Sequence, residues 1–75
     1  LFVRNLPFET SEITLRQTFE AVTRVRNVQI PTDAAGRPRG FAYVTLYAED
    51  CEAAVLAMDG FTLGGRRLRV ERSSP

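Results

Sequence analysis

The sequence predicts an α+β sandwich in which two helices cover one face of a four-stranded antiparallel sheet. Segments with strand and helix periodicity follow one another in the order strand, helix, strand, strand, helix, strand. This is the split βαβ arrangement of ferredoxin-like domains, which leaves one sheet face open. The 75 residues have room for one such domain, because a chain this short buries only about 60% of its unfolded surface.

The clearest strand runs from Arg39 to Leu46, RGFAYVTL. Side chains in a strand alternate between two faces. One face carries small and branched residues, as a face covered by helices would: Gly40, Ala42, Val44 and Leu46. The other face carries Arg39, Phe41, Tyr43 and Thr45. Two aromatic rings and an arginine on a face that should be polar indicate a contact surface.

The first strand, in residues 1–6, repeats this alternation. Its core-facing residues are Leu1 and Val3, and its outward-facing residues are Phe2 and Arg4. Pro7 ends the strand, because proline cannot donate to the hydrogen-bond ladder. We expect Phe8, in the following loop, to pack as a cap on the core.

Apolar residues at helical spacing predict both helices. The first covers residues 12–22, with Ser11 as N-cap and Glu12 at the positive end of the helix dipole. Its core residues are Leu15, Phe19 and Val22. Glu49 and Asp50 open the second helix, which ends at Asp59-Gly60. Its buried stripe is Cys51, Ala54, Val55 and Met58, with the thiol as inert packing.

Three further strands are predicted. Residues 25–30 form one, whose outward-facing amides either contact a ligand or are ordinary solvated groups: Asn27 and Gln29. A loop over residues 31–38 follows, turned by Gly36. A short strand over residues 61–63 turns through Gly64-Gly65 into the last strand. That strand, residues 66–71, directs Leu68 and Val70 inward and Arg67, Arg69 and Glu71 outward.

The outward-facing aromatic residues resemble those of the RNA recognition motif family. RGFAYVTL is similar to the family's octamer, K/R-G-F/Y-G/A-F-V-x-F/Y, with Tyr43 replacing the second phenylalanine. The last position of the octamer is Leu46 instead of the family's aromatic residue, but alternation places this side chain in the core. LFVRNL resembles the family's hexamer, whose second position is aromatic, here Phe2. In the family the first helix usually ends at a glycine, whereas this chain has Thr23 near that position. The helix therefore ends either with a non-glycine residue in the left-handed conformation or at a shifted boundary.

The resemblance implies a domain that binds single-stranded RNA. Two or three bases would stack on Phe2, Phe41 and Tyr43, while Arg39 holds a phosphate. Arg37 either contacts a phosphate or serves as a solubilising group. The candidate RNA-binding residues are Phe2, Arg4, Asn27, Gln29, Arg37, Arg39, Phe41, Tyr43, Arg67, Arg69 and Arg72. We expect a monomeric domain with no metal or cofactor, with single-stranded DNA as the alternative nucleic acid and with protein partners through the helical face.

The net charge of +1 conceals a segregation of charge. Most acidic residues fall in or beside the predicted helices, whereas most of the ten basic residues, all arginines, fall on strands and loops. Such a polarised field attracts a polyanion locally, and arginine favours bidentate phosphate contact and stacking. The alternative is that arginines merely tolerate sheet surfaces.

Composition narrows the functional classes. With one cysteine and no histidine, the chain offers no internal disulfide and no zinc cluster. No carboxylate pair is expected to converge for acid–base catalysis, so we predict no enzyme. No apolar run approaches the ~20 residues of a membrane span. We expect an intracellular protein, nuclear rather than cytoplasmic, and interpret residues 1–75 as one domain excised from a longer chain.

A protein-interaction module is the alternative function. Members of the resembled family that capture a tryptophan-bearing peptide have an Arg-x-Phe tripeptide after the second helix. The corresponding residues here are Gly60-Phe61-Thr62-Leu63, which lack that tripeptide. Since a purely protein-binding relative is also expected to lose the sheet aromatics, the sequence favours RNA.

Overall fold

The computed structural model describes residues 1–73. The elements are β1 (Phe2–Arg4), α1 (Glu12–Glu20), β2 (Asn27–Gln29), β3 (Ala42–Thr45), a 3-10 turn (Ala48–Asp50), α2 (Cys51–Met58), β4 (Thr62–Leu63), β5 (Arg66–Arg67) and β6 (Arg69–Glu71). Four strands form an antiparallel sheet in the order β2-β3-β1-β6, and β4 pairs with β5 in a separate hairpin. The predicted ferredoxin-like fold is confirmed.

One face of the sheet forms the core together with the two helices. The buried sheet residues are Val3, Val28, Ala42, Val44 and Val70, which alternate with exposed or half-buried neighbours. The buried helix residues are Leu15 and Phe19 of α1 and Ala54 and Met58 of α2. Leu46, at the last position of the octamer, is also buried, as alternation predicts.

Helix α1 begins as predicted and ends two residues earlier. The Ser11 hydroxyl accepts a hydrogen bond from the Thr14 amide at 3.1 Å, which caps the helix. The helix ends at Glu20, and the amides of Val22 and Thr23 both donate to the Phe19 carbonyl. The boundary is therefore shifted. Val22 is exposed, so its predicted place in the core was wrong.

Helix α2 begins at Cys51, after the 3-10 turn, instead of at Glu49. Asp50 occupies the N-cap position without a side-chain capping bond, and its carboxylate accepts from Arg24 Nε at 3.1 Å. Cys51 is half-buried, and not fully buried as predicted. Gly60, with φ +84°, follows the end of the helix as predicted.

The last predicted strand is divided in the structure. Arg66 and Arg67 pair with β4, and only residues 69–71 join the main sheet. Leu68 lies between them, fully buried, and exchanges backbone hydrogen bonds with Phe61 and Gly60. Because Leu68 bonds to the segment after α2, residues 66–71 do not form one strand of the main sheet, and the prediction of a single continuous strand there was wrong.

Three other expectations also need correction. β2 spans residues 27–29 instead of 25–30, with Val25 and Ile30 packed against the core at its two ends. Phe8 does not cap the core, since 60% of its surface is exposed. The strand predicted over residues 39–46 spans residues 42–45, and the positive φ of Gly40, +89°, is not compatible with regular extended backbone at that position.

None of the helices within residues 1–73 is long and apolar enough to cross a membrane. Across the same range, no group of three or more His, Cys, Asp or Glu side chains could hold a metal ion.

A hydrogen bond links Asp59, at the end of α2, to the edge strand β6. Its Oδ1 accepts a hydrogen bond from the Val70 amide at 2.9 Å, in a partly buried position. Val70 itself is buried against the core, so water does not readily replace this acceptor. The contact therefore stabilises the pairing of β6 with the sheet.

We expect Asp59→Ala to lower the free energy of unfolding by about 1–2 kcal/mol, because it leaves the Val70 amide without an acceptor. Asp59→Asn is the matched control, since it retains an oxygen at the same position and should stay within about 0.5 kcal/mol of the parent. Urea denaturation followed by circular dichroism measures both variants. Equal stability of the alanine variant and the parent would contradict the assigned role.

Candidate nucleic-acid interface

Three aromatic rings lie in mutual contact on the open face of the sheet. The ring centroids of Phe2 and Tyr43 are 5.3 Å apart, and those of Phe2 and Phe41 are 5.5 Å apart. Phe41 and Tyr43 are separated by 6.0 Å, nearly edge to face. Tyr43 is 43% exposed, and the two phenylalanines are half-buried. We call these three residues the aromatic platform.

Strand register brings the platform together. Phe2 of β1 lies directly opposite Tyr43 of β3, and directly opposed side chains share a sheet face. Their neighbours Val3 and Ala42 are opposed in the same way on the buried face. Since that face is filled by the helices, the rings lie on the opposite face of the sheet.

Two arginines approach the edges of the platform. The Arg39 guanidinium carbon lies 5.1 Å from the Phe41 ring centroid, and that of Arg4 lies 5.9 Å from the Phe2 centroid. Arg4 is also ion-paired with Glu71, with 3.5 Å between Nε and Oε1. Arg39 therefore offers the more available cationic contact beside a ring.

A row of side chains crosses the whole sheet at the level of the platform. Gln29 lies opposite Tyr43, Tyr43 opposite Phe2, and Phe2 opposite Glu71. Asn27 precedes Gln29 by two residues on β2, so it lies on the same face, opposite Thr45. Both amides are exposed, so they border the rings with donors and acceptors accessible to a bound molecule.

Four other candidate arginines lie either next to the platform or on other segments: Arg69, Arg72, Arg67 and Arg37. Arg69 is opposite Arg4 on β6, and Arg72 lines a depression with Phe2 and Tyr43. Arg67 belongs to the β4–β5 hairpin, where its carbonyl accepts from Asn5. Arg37 lies in the loop between β2 and β3, ion-paired with Asp33 at 3.6 Å. The structure thus groups Arg69 and Arg72 with the rings and places Arg67 and Arg37 on separate hairpins.

Comparison with known proteins identifies the family. The family model described as the RNA recognition motif matches residues 1–69. The chain belongs to the RNA recognition motif family. Its members are binding modules, so this domain is not an enzyme.

Individual relatives agree with the family match. The chain is 40% identical to a Nostoc protein named "Putative RNA-binding protein RbpA", over all of this chain and 76% of the relative. It is 42% identical to the chloroplastic RNA-binding protein CP29B of Arabidopsis thaliana, over all of this chain and 27% of that protein. The solved Rna15 RNA recognition motif with bound RNA (GU) superposes with a TM-score of 0.87 at 26% identity, covering 99% of this chain and 81% of that one.

Tyr47, which directly follows the octamer, is a further exposed aromatic residue of this RNA recognition motif domain. The Arg24 guanidinium carbon lies 4.3 Å from its ring centroid and that of Arg26 lies at 5.4 Å. Arg24 also donates to Asp50 and Glu49, and these bonds raise the pKa of its guanidinium above the ordinary value. Because Arg24 bonds to two carboxylates of the 3-10 turn, this cluster connects the α1–β2 loop to the segment that precedes α2.

Proposed function

We propose that the open face binds single-stranded RNA by stacking bases on the aromatic platform. The observation that carries the proposal is the contact of three rings, 5.3–6.0 Å apart, on the uncovered face. Aromatic rings in soluble proteins are usually placed in the core, whereas a bare cluster provides flat surfaces for bases. The area of three adjoining rings accommodates two or three bases.

Arg39 is the proposed phosphate contact. Its guanidinium lies against Phe41, so a base stacked on that ring would bring its own phosphate within reach. Arg4 is partly neutralised by Glu71 and is better suited to base edges or the adjoining sugar. Arg69, on β6, and Arg72, directly after β6, supply further cationic groups on the same side of the platform as Arg4.

Gln29 and Asn27 are the proposed readers of base edges. Each amide both donates and accepts, and each lies on the face of the rings along the edge strand β2. An unpaired base stacked on Tyr43 would present its edge toward Gln29, its cross-strand neighbour. We therefore expect Gln29 to affect the base preference of the domain more than its overall affinity for RNA.

The remaining expectations concern partners and location. Binding of single-stranded DNA, protein partners through the helical face and a nuclear location stay predictions. The relatives include a chloroplast protein and a cyanobacterial protein. The compartment of this protein is therefore a matter for direct localisation.

We expect the double variant Phe41→Ala/Tyr43→Ala to bind mixed-sequence single-stranded RNA at least about tenfold more weakly, because each stacked base contributes roughly 1–3 kcal/mol. Fluorescence anisotropy with a labelled RNA oligomer measures the affinity. Circular dichroism verifies that the fold persists, as expected for side chains on the open face.

Leu56→Ala is the control for this experiment. Leu56 is 78% exposed on α2, and its loss should leave RNA affinity unchanged. Unchanged affinity in the folded double variant would refute stacking on the platform. Weakening in Leu56→Ala alone would instead assign RNA binding to the helical face.

We expect Arg39→Gln to reduce the dependence of affinity on salt. Loss of one phosphate contact to a single strand should lower the slope of log affinity against log salt concentration by about 0.7. Affinity should fall by a similar factor for RNAs of different sequence, because phosphates carry no base identity. Arg16→Gln, on α1 and ion-paired with Glu20, is the control and should leave the slope unchanged. A change in base preference without a change in slope would exclude the phosphate role.

A further inference from the structure

Glu71 is the single carboxylate among the side chains of the four strands that form the main sheet. It lies on β6, directly opposite Phe2 of the aromatic platform. The other ionised side chains of these strands are Arg4 and Arg69, which attract a polyanion. Because a carboxylate repels the phosphates of a nucleic acid, affinity for RNA does not account for Glu71.

Stability does not account for Glu71 either. Its Oε1 lies 3.5 Å from Arg4 Nε, and 55% and 49% of the two side chains are exposed. An exposed ion pair of this kind contributes little to the stability of a fold. The distance also exceeds the roughly 2.7–2.9 Å of a strong charge-assisted hydrogen bond. The carboxylate therefore retains its capacity to accept hydrogen bonds, and the guanidinium retains its capacity to donate them.

Both charged groups lie beside the Phe2 ring. The Arg4 guanidinium carbon is 5.9 Å from the ring centroid, and Glu71 lines a depression together with Phe2 and Tyr43. A base that stacks on Phe2 with its edge directed toward β6 would therefore meet a carboxylate and a guanidinium side by side. This arrangement presents two acceptor atoms next to a group of donors.

Guanine is the base whose Watson–Crick edge complements this arrangement. Its N1–H and N2–H groups are two adjacent donors, and O6 is an acceptor next to them. A carboxylate can accept from both donors at once, while a guanidinium donates to O6. Cytosine and adenine offer a carboxylate only their amino group on this edge. Uracil has one donor between two carbonyl oxygens, which a carboxylate repels.

We propose that Glu71 and Arg4 select guanine as the base that stacks on Phe2. This inference rests on the proposed function and names the base preference of one position on the platform. The Glu71 carboxylate accepts from N1–H and N2–H, and Arg4 donates to O6. Because the ion pair already holds the two groups next to each other, little side-chain ordering is needed when the base binds.

The test uses oligouridines of about five nucleotides that carry one central guanosine, inosine or cytidine. Inosine keeps N1–H and O6 but lacks the N2 amino group, so it removes one of the two proposed bonds to Glu71. We expect the parent to bind the guanosine oligomer about five- to tenfold more tightly than the inosine oligomer, and to prefer it over the cytidine oligomer. Fluorescence anisotropy measures each affinity.

Glu71→Gln should reduce the preference for guanosine over inosine to within about twofold, because an amide presents one acceptor and one donor to this edge. Arg4→Gln should weaken both oligomers by the same factor, since both bases carry O6, and should leave their ratio unchanged. Glu52→Gln, on the exposed side of α2, removes the same charge as Glu71→Gln and is the control. It should keep the preference of the parent. Circular dichroism verifies the fold of each variant.

The other outcomes separate this inference from the proposed function. If the parent binds guanosine and inosine oligomers equally while Phe41→Ala/Tyr43→Ala weakens both, guanine selection is refuted and the proposed function stands. If the preference persists in folded Glu71→Gln, another group recognises guanine and the assignment to Glu71 is wrong. A preference for cytidine that Glu71→Gln abolishes would also contradict the proposal. If the parent binds none of the oligomers, both the proposed function and this inference fail.

Discussion

Burial of one sheet face beneath α1 and α2 is the constraint on which the rest of the structure depends. Val3, Ala42 and Val44 can be removed from water only if the helices pack on their side of the sheet. The strand period of two then forces the intervening side chains to the opposite side. Phe2 and Tyr43 are exposed as a direct consequence, and their contact depends on the pairing of β1 with β3.

The fold and the aromatic platform could be predicted from the sequence because both depend on alternation within single strands. The pattern of small and branched residues in Ala42, Val44 and Leu46 identified the buried face, and it therefore also identified the open one. The resembled family places its first and third strands side by side, and on that basis Phe2 was expected to lie beside Phe41 and Tyr43. No side-chain interaction between distant segments was needed for these conclusions.

The features that could not be predicted depend on bonds between segments far apart in the chain. The carboxylate of Asp50 bonds to Arg24 where a helix-capping bond was expected, and backbone bonds between Leu68 and residues 60 and 61 divide the last strand. Likewise, Asn5 reaches the β4–β5 hairpin and directs its loop so that Phe8 faces solvent. Hydrophobicity alone assigned Phe8 to the core, whereas in the structure its ring lies beside Gly40, where an added Cβ atom would be 3.3 Å from Phe8 Cε1, and is exposed to solvent.

The most direct test of the account is a titration of the isotopically labelled domain with random-position single-stranded RNA, followed by amide and aromatic-ring NMR shifts. We predict that the largest changes occur at Phe2, Phe41 and Tyr43 and at their neighbours on β2, with the core side of the sheet little affected. Changes confined to α1 and α2, or no changes at RNA concentrations that saturate related domains, would contradict it.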